Sequence, residues 1–470
     1  LTKYLFWVEK NFYKRKITEI SGSNKLYRLR KKNNSFKSLS FPTISGTGPN
    51  GSIIHYKASK KTNRKLKKGD IFKHQGRLDE AIETYKKALS IKPDHAGVYN
   101  NIGNVLKDKG KFDESLEAYN KALLFKPDYA EAYNNIGNVL KNKGKLKMSL
   151  KAYKKAVFLK PNYAEAYSNM GLNLKDLGKL EASLEAYNKA VELKPHFAEA
   201  HQNMSFSLLN TGRIKDGLEE YEWRFKTEEF KSHQRYFAKP LWDGKQSLHN
   251  KKILIWCEQG IGDTLRWSWC LSPLSIKAKQ CILECQEKLV PLLKRSFPNI
   301  EIKPENRSLD TEREEFDFHL PMGSLYRHFI NQIKVNSQIT SHLVAHPKRI
   351  SFWKKRLSSL GKGPYVGIGW KSNNTSPNKL PNNAPLSEWG PILKIPDITF
   401  INLQYMDFEN DINIIEDRLG VKIHNFDDLD HYNNIDDVAA LCASLDCVIS
   451  TNITVPIISG GVGTLTKVAN

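Results

Sequence analysis

AGVYNNIGNVLKDKGKFDESLEAYNKALLFKPDY, residues 96–129, is followed directly by AEAYNNIGNVLKNKGKLKMSLKAYKKAVFLKPNY, residues 130–163, and the two align without a gap. The period is 34 residues: Pro93, Pro127, Pro161 and Pro195 keep it, as do Gly69, Gly103, Gly137 and Gly171. Gly76, Gly110, Gly144, Gly178 and Gly212 run in the same register, with Tyr85, Tyr119, Tyr153, Tyr187 and Tyr221, and with Ala88, Ala122, Ala156 and Ala190. This pattern predicts two antiparallel helices, A and B, per unit. A small residue such as Gly103 lets the two helices approach closely. Tyr119 and Ala122, three apart, share one face of helix B and fill the groove. Gly110 ends helix A in a tight turn, and Pro127 stops helix B. No unit can bury its own apolar face, so the stack is the stable object.

These residues resemble the tetratricopeptide family, whose repeat has this length. The expected solenoid covers residues 69–231, with complete units at 96–129, 130–163 and 164–197 and a drifting last unit, 198–231, as a cap. The first unit, 62–95, matches from Gly69 onward but has Lys65 and Lys68 where later units have Tyr99 and Ile102. Asn101, Asn135, Asn169 and Asn203 also recur on helix A, beside a parallel row of Lys107, Lys141 and Lys175. A ladder of amides can pair with both N–H and C=O of an extended peptide without reading its sequence. It resembles the ladder in the repeats of protein O-GlcNAc transferases. That resemblance implies a polypeptide acceptor or protein partner on the concave face.

Upstream of the repeats the character changes. Residues 1–68 hold 18 Lys/Arg and 2 acids, whereas the rest of the chain carries only +7 of the formal +23. The excess reads as solvated charge in a Lys- and Asn-rich segment rather than a nucleic-acid arm. SFPTISGTGPNGSIIHY, then TNRKL, then GD, within residues 36–72, resembles Xaa-Pro aminopeptidase of the pita-bread metallopeptidase family. In that family His55 would contact substrate. The Asp, His and Glu ligands of the dinuclear site would lie downstream, where the chain has already become repeat, so the resemblance implies a remnant with no metal site. The N-terminus, which lacks Met, is expected to be a fragment, and the junction near Gly69 a join.

After the repeats, KKILIWCEQGIGDTLRW reads as strand, Gly turn and helix, the way an α/β domain opens a ligand site at the carboxyl edge of its sheet. CILEC and FDFHLPM continue as strands. YVGIGWKSN, ITFINLQY and DCVISTN form a second set, with IDDVAALCASL as an amphipathic helix. The expectation is two Rossmann-like halves, 232–345 and 346–470, the second truncated. In this order the motifs resemble the C-terminal domains of bacterial tetratricopeptide proteins related to heptosyltransferases, which have the GT-B layout. The resemblance implies a metal-independent glycosyltransferase with a nucleotide-sugar as co-substrate and no cofactor. Asp263 would be the general base. Gln259, Gly260 and Gly262 would form the acceptor or phosphate loop. Trp370, Lys371 and Ser372 would meet the donor diphosphate, and Ser450, Thr451 and Asn452 would lie beside it. The relatives carry an Asp where this chain has Asn452 and a His where it has Ile457.

Two other readings stay open: a non-catalytic repeat scaffold with a degenerate transferase domain, and a peptidase. The six cysteines form no CxxC pair and no apolar run is long enough to cross a bilayer, which sets the expectation of a reduced, cytoplasmic protein without a membrane span.

Overall fold

The computed structural model describes residues 68–307, 310–330, 341–372, 384–405 and 408–469. Residues 1–67 of the aminopeptidase-like segment, with His55 and Lys65, lie outside the described residues. The chain divides into two compact units, one through Ser207 and one from Leu208. The division falls inside a helix that the repeat period assigns to the solenoid.

The first unit is a run of paired helices: α1 (Lys68–His74) and α2 (Leu78–Ile91), α3 (Ala96–Asp108) and α4 (Phe112–Phe125), α5 (Ala130–Asn142) and α6 (Leu146–Leu159), α7 (Ala164–Asp176) and α8 (Leu180–Leu193), then α9 (Ala198–Asn210). The invariant glycines have a steric cause. A Cβ added to Gly103 would stand 2.5 Å from the ring of Tyr119, one on Gly137 2.5 Å from Tyr153, and one on Gly171 2.9 Å from Tyr187. Each of these rings is fully buried against its glycine. A serine one turn before the tyrosine closes the contact. Ser115, Ser149 and Ser183 donate to the carbonyls of Gly103, Gly137 and Gly171 at 2.7, 2.7 and 2.8 Å. The turn glycines Gly110, Gly144 and Gly178 have φ of 70–75°, which a side chain disfavours.

Neighbouring units are tied by charge. Lys109 pairs with Asp79 and Lys143 with Asp113, one repeat apart. Within a unit, Lys160 reaches Glu131 at 2.7 Å and Lys194 reaches Glu165 at 3.0 Å. These pairs are exposed, so each contributes little and weakens with salt.

The second unit opens with α10 (Ile214–Tyr221) and two 3₁₀ turns, Glu222–Lys226 and Glu229–His233. Then follow β1 (Lys252–Trp256), α11 (Ile261–Trp267), α12 (Leu271–Lys277), β2 (Gln280–Cys285), α13 (Val290–Ser296), β3 (Glu301–Pro304), β4 (Phe318–Pro321) and α14 (Leu325–Phe329). A second series has α15 (Pro347–Ser358), β5 (Tyr365–Gly369), α16 (Gly390–Leu393), β6 (Thr399–Asn402), α17 (Glu409–Leu419), β7 (Ile423–His424), α18 (Ile435–Cys442), β8 (Cys447–Ser450), α19 (Thr454–Gly461) and β9 (Leu465–Val468).

Among the described residues all strand pairings are parallel. One sheet has the order β3-β2-β1-β4 and the other β7-β6-β5-β8-β9. Ile253 pairs with Cys281 on one side and Phe318 on the other; Gly367 pairs with Ile401 and Val448. Parallel strands covered on both faces need near-continuous apolar runs, and KILIW and YVGIG supply them. In both sheets the chain order reverses beside the first strand, between β1 and β4 and between β5 and β8. Such switch points leave a crevice at the carboxyl ends of the strands.

The tyrosine hydroxyls report on repeat quality. Tyr85 donates to Asp70 at 2.8 Å, Tyr119 to Asn104 at 2.7 Å and Tyr153 to Asn138 at 2.7 Å, always 15 residues back. At the equivalent place in the next unit stands Leu172, and the hydroxyl of Tyr187 is buried with no partner. Removing a bonded hydroxyl costs about 1 kcal/mol, whereas removing an orphaned one relieves a desolvation penalty. Tyr119→Phe is therefore expected to lower the urea midpoint of the repeats, and Tyr187→Phe to leave it unchanged or raise it. Equal losses in the two variants would refute this account.

Candidate functional site

The amide row on the A helices is partly bound up in the stack. Asn135 Nδ2 donates to Asn100 Oδ1 at 3.0 Å, Asn169 Nδ2 to Asn134 Oδ1 at 2.9 Å, and Asn101 Nδ2 to Asp70 Oδ1 at 3.2 Å. Asn100 and Asn134 are buried, while Asn101, Asn135, Asn169 and Asn203 remain half-buried. Packing thus explains one donor of three of these amides, which the sequence pattern left unassigned. A single primary amide has a second N–H and a carbonyl oxygen as well.

At the first switch point the loop after β1 carries Glu258 and Gln259. Glu258 is buried and faces the end of β4: its Oε1 accepts from Gly323 N at 3.1 Å and from Arg224 at 3.0 Å. Arg224, from the turn after α10, is fully buried, bonds Ser324 Oγ at 2.9 Å and pairs with Glu222 at 2.8 Å. Burial pushes the Glu258 carboxyl up, and Arg224 pulls it back. The crevice between β1 and β4 is therefore filled by the chain's own ion pair.

Gln259 donates to the hydroxyl of Tyr221, the last tyrosine of the repeat series. Burial drives that phenol up to about 12, with Arg224 and Gln259 opposing and the carboxylates of Glu258 and Asp263 adding to it. Asp263, half-buried in the first turn of α11, thus lies near Tyr221. Gly260 caps α11 in extended geometry, with open space where a Cβ would stand. Gly262 is different. A Cβ there would come 3.2 Å from Thr454 Oγ1 and 3.3 Å from Ile457 Cδ1, so the first turn of α11 meets the start of α19.

The second switch point gathers the other named residues. β5 leads into Trp370, Lys371 and Ser372, and β8 into Thr451 and Asn452. Gln404, just beyond β6, clamps the first of these loops. Its Oε1 accepts from the N–H groups of Trp370 and Lys371, both at 3.0 Å, and its Nε2 donates to Lys371 O at 2.8 Å. Lys371 Nζ pairs with Asp411 on α17 at 2.7 Å, so a diphosphate would have to compete with that carboxylate. The Trp370 indole is fully buried in the core and donates to Asp411 at 2.8 Å. Ser450 is likewise buried, its hydroxyl turned to the Thr451 carbonyl. Thr451 Oγ1 is buried without a partner, and Asn452 is exposed.

Between these edges lies a cavity of about 140 Å³. Ile261, Leu403, Tyr405, His431, Tyr432 and Thr454 are among its walls. Both ring nitrogens of His431 are shut off from solvent and have no hydrogen-bond partner. Burial lowers its pKa to about 4, leaving the imidazole neutral at pH 7.

Arg224, Glu258, Gln404, Asp411 and His431 carry these arrangements, and sequence reasoning assigned none of them a role. Gln404 was within reach, since NLQY stood out as a strand end. Asp411 and His431 belong to no recognisable spacing. Among the described residues no group of three or more His, Cys, Asp or Glu is placed to hold a metal ion, and no helix is long and apolar enough to cross a membrane.

Residues 69–110, 103–144 and 137–176 match the TPR repeat family model and residues 164–197 the tetratricopeptide repeat model, so the chain carries tetratricopeptide repeats. Residues 3–75 match metallopeptidase family M24. Protein FlbA of Caulobacter vibrioides is 31% identical over 238 residues, 47% of this chain and 40% of FlbA. A probable Xaa-Pro aminopeptidase P of Ajellomyces dermatitidis is 47% identical over 64 residues, 13% of this chain and 10% of that protein. The chain spans less than half the length of either curated relative. Among solved structures, MamA is 26% identical, covering 36% of this chain and 99% of its own, with a TM-score of 0.31. YrrB, titled a TPR protein with an unusual peptide-binding site, is 24% identical, covering 34% of this chain and 83% of its own, with a TM-score of 0.29.

The buried pair makes a direct prediction. Arg224→Met leaves Glu258 as an uncompensated buried carboxylate, which costs about 3–5 kcal/mol. Arg224→Met/Glu258→Met should recover most of that loss in thermal or urea unfolding. A double variant as unstable as the single would show that the charge pairing is not the cause.

Proposed function

We propose that the chain couples a peptide-gripping repeat array to sugar transfer from a nucleotide-activated donor. The repeats act as the protein-interaction scaffold. The α/β unit takes the donor at its second switch point and the acceptor hydroxyl at Asp263. The observation that carries this reading is topological. Both sheets reverse order beside their first strand, and the loops resembling the transferase motifs follow the strands that flank those reversals. The chemistry fits. Lys371 can trade Asp411 for a diphosphate oxygen. Asp263 lies near the loop contact at Gly262 and would accept the acceptor's proton as the glycosidic bond forms. The transfer step needs no metal, because the cation at Lys371 offsets leaving-group charge.

The second reading, a scaffold with a degenerate α/β platform, is favoured by the Lys371–Asp411 pair and by the ion pair that fills the first crevice. Calorimetry separates the two. Titration of the 470-residue chain with uridine- and adenosine-diphosphate sugars is expected to give saturable heat. Silence with every donor would favour the scaffold. In an assay of sugar transfer, Asp263→Asn should lower kcat by 10²-fold or more, the scale of lost general-base catalysis. Normal turnover by that variant would remove the assignment.

The amide ladder has its own test. Asn135→Ala with Asn169→Ala should weaken binding of an extended polypeptide roughly tenfold. It should also cost the stack about 1 kcal/mol for each inter-repeat bond removed. If the melting shift appears and peptide binding is unchanged, the ladder serves the stack alone.

A further inference from the structure

The 34-residue period allows the solvent faces of the B helices to be compared position by position, and α6 stands apart. Its exposed stripe is Lys147, Met148, Lys151, Lys154, Lys155 and Phe158, spaced so that all lie on one side of the helix. The helix contains no acid. The preceding B helix, α4, has Asp113 and Glu117 at the places of Lys147 and Lys151, and the following one, α8, has Glu181 and Glu185 there. The apolar members are open to solvent as well. Phe158 is 76% exposed, and Leu124, at the same place in α4, is 75% exposed.

We propose that α4 and α6 together form a self-complementary surface on which a second copy of this chain docks, α4 of each copy on α6 of the other, in a weak two-fold dimer.

Charge and symmetry carry the argument. Helices at the same place in successive units run in the same direction, and Lys143, at the entry to α6, pairs with Asp113 in the first turn of α4. A two-fold axis lying between α4 and α6, along their length, exchanges the two helices and sets each parallel to its opposite number. Asp113 then faces Lys147 of the second copy, Glu117 faces Lys151, and Leu124 faces Phe158. Every match occurs twice. Lys121 against Lys155 is a like-charged meeting near the helix ends. An axis set across the helices would instead lay α6 on α6, four lysines against four, so the charge pattern selects the first arrangement.

The neighbouring faces disfavour a flat anionic partner. Acids of α4 and α8 border the basic stripe on both sides, so an anionic bilayer laid on α6 would also press against Glu117 and Glu185. Area sets the strength. Each helix has 14 residues. Two such helices side by side, about 21 Å long and roughly 10 Å wide each, offer on the order of 400 Å² per copy, about half of what a stable interface uses. The association is therefore weak and, being charge-matched, screened by salt. The Asp113–Lys143 pair within one copy is exposed and yields at little cost.

The experiment is sedimentation velocity of the full 470-residue chain from about 1 to about 200 μM, at about 50 mM and about 500 mM salt. A monomer–dimer equilibrium is expected at low salt, weakened at least tenfold at high salt. Two variants reverse one face each: Lys147→Glu with Lys151→Glu, and Asp113→Lys with Glu117→Lys. Each alone should be monomeric, with a melting midpoint near that of the parent because the altered side chains are exposed. Mixed in equal amounts, the two should dimerise with each other, since the acidic α4 of one then meets the basic α6 of the other and the reversed faces meet in turn. A parent chain that stays monomeric at low salt would overturn the proposal. So would variants that dimerise as the parent does, or two folded variants whose mixture stays monomeric. A monomeric parent that instead co-sediments with phosphatidylserine vesicles would reassign the face to an anionic lipid surface.

Discussion

A tyrosine ring seated on a glycine backbone is the contact from which each repeat is built. Helix A can meet helix B at that distance only where a residue has no Cβ, and the space left open is the space the ring fills. The serine one turn earlier then bonds the same glycine's carbonyl, so steric fit and hydrogen bonding converge on one backbone position. Everything else in the array follows from holding two helices this close. The turn glycine must reverse the chain within a few residues, and the apolar remainder of each pair must find its cover on the next.

The second unit depends on a different constraint. Two parallel sheets offer two crevices, and the chain treats them unequally. One is closed by Arg224 and Glu258, charges that are tolerable in the interior only as a pair. The other is kept open, with a threonine hydroxyl and a histidine nearby that lack partners. The residue that links repeat logic to this unit is Tyr221. It keeps the place of the groove-filling tyrosines in the 34-residue period, yet its hydroxyl is met by Gln259 rather than by an amide of its own repeat.

Much of this was legible in the sequence. The period made the helix pairs explicit, because a solenoid writes each contact several times at fixed spacing. The strands were legible as short apolar runs ending in polar loops, and the loops after β1, β5 and β8 were singled out for that reason. What stayed hidden were partnerships across long separations. Nothing in the order of residues announces that Arg224 meets Ser324 or that Lys371 meets Asp411. The burial of Trp370 was equally hidden, because its place in a loop motif said nothing about which way the indole turns. The amide row was legible as a row, but the donation from Asn135 to Asn100 requires knowing how adjacent A helices are staggered.

That stagger has an evolutionary consequence. The asparagine bond and the Lys109–Asp79 and Lys143–Asp113 pairs all place one partner in a unit and the other in its neighbour, each kind of pair repeating at its own fixed offset. A tandem duplication of one unit therefore regenerates every cross-boundary partner at once, and a clean deletion of one unit rejoins compatible edges. The array can change length without inventing new complementarity. Leu172, which stands where the other units have an amide or carboxylate partner for the tyrosine, is the kind of difference that such copying can erase in a single recombination event.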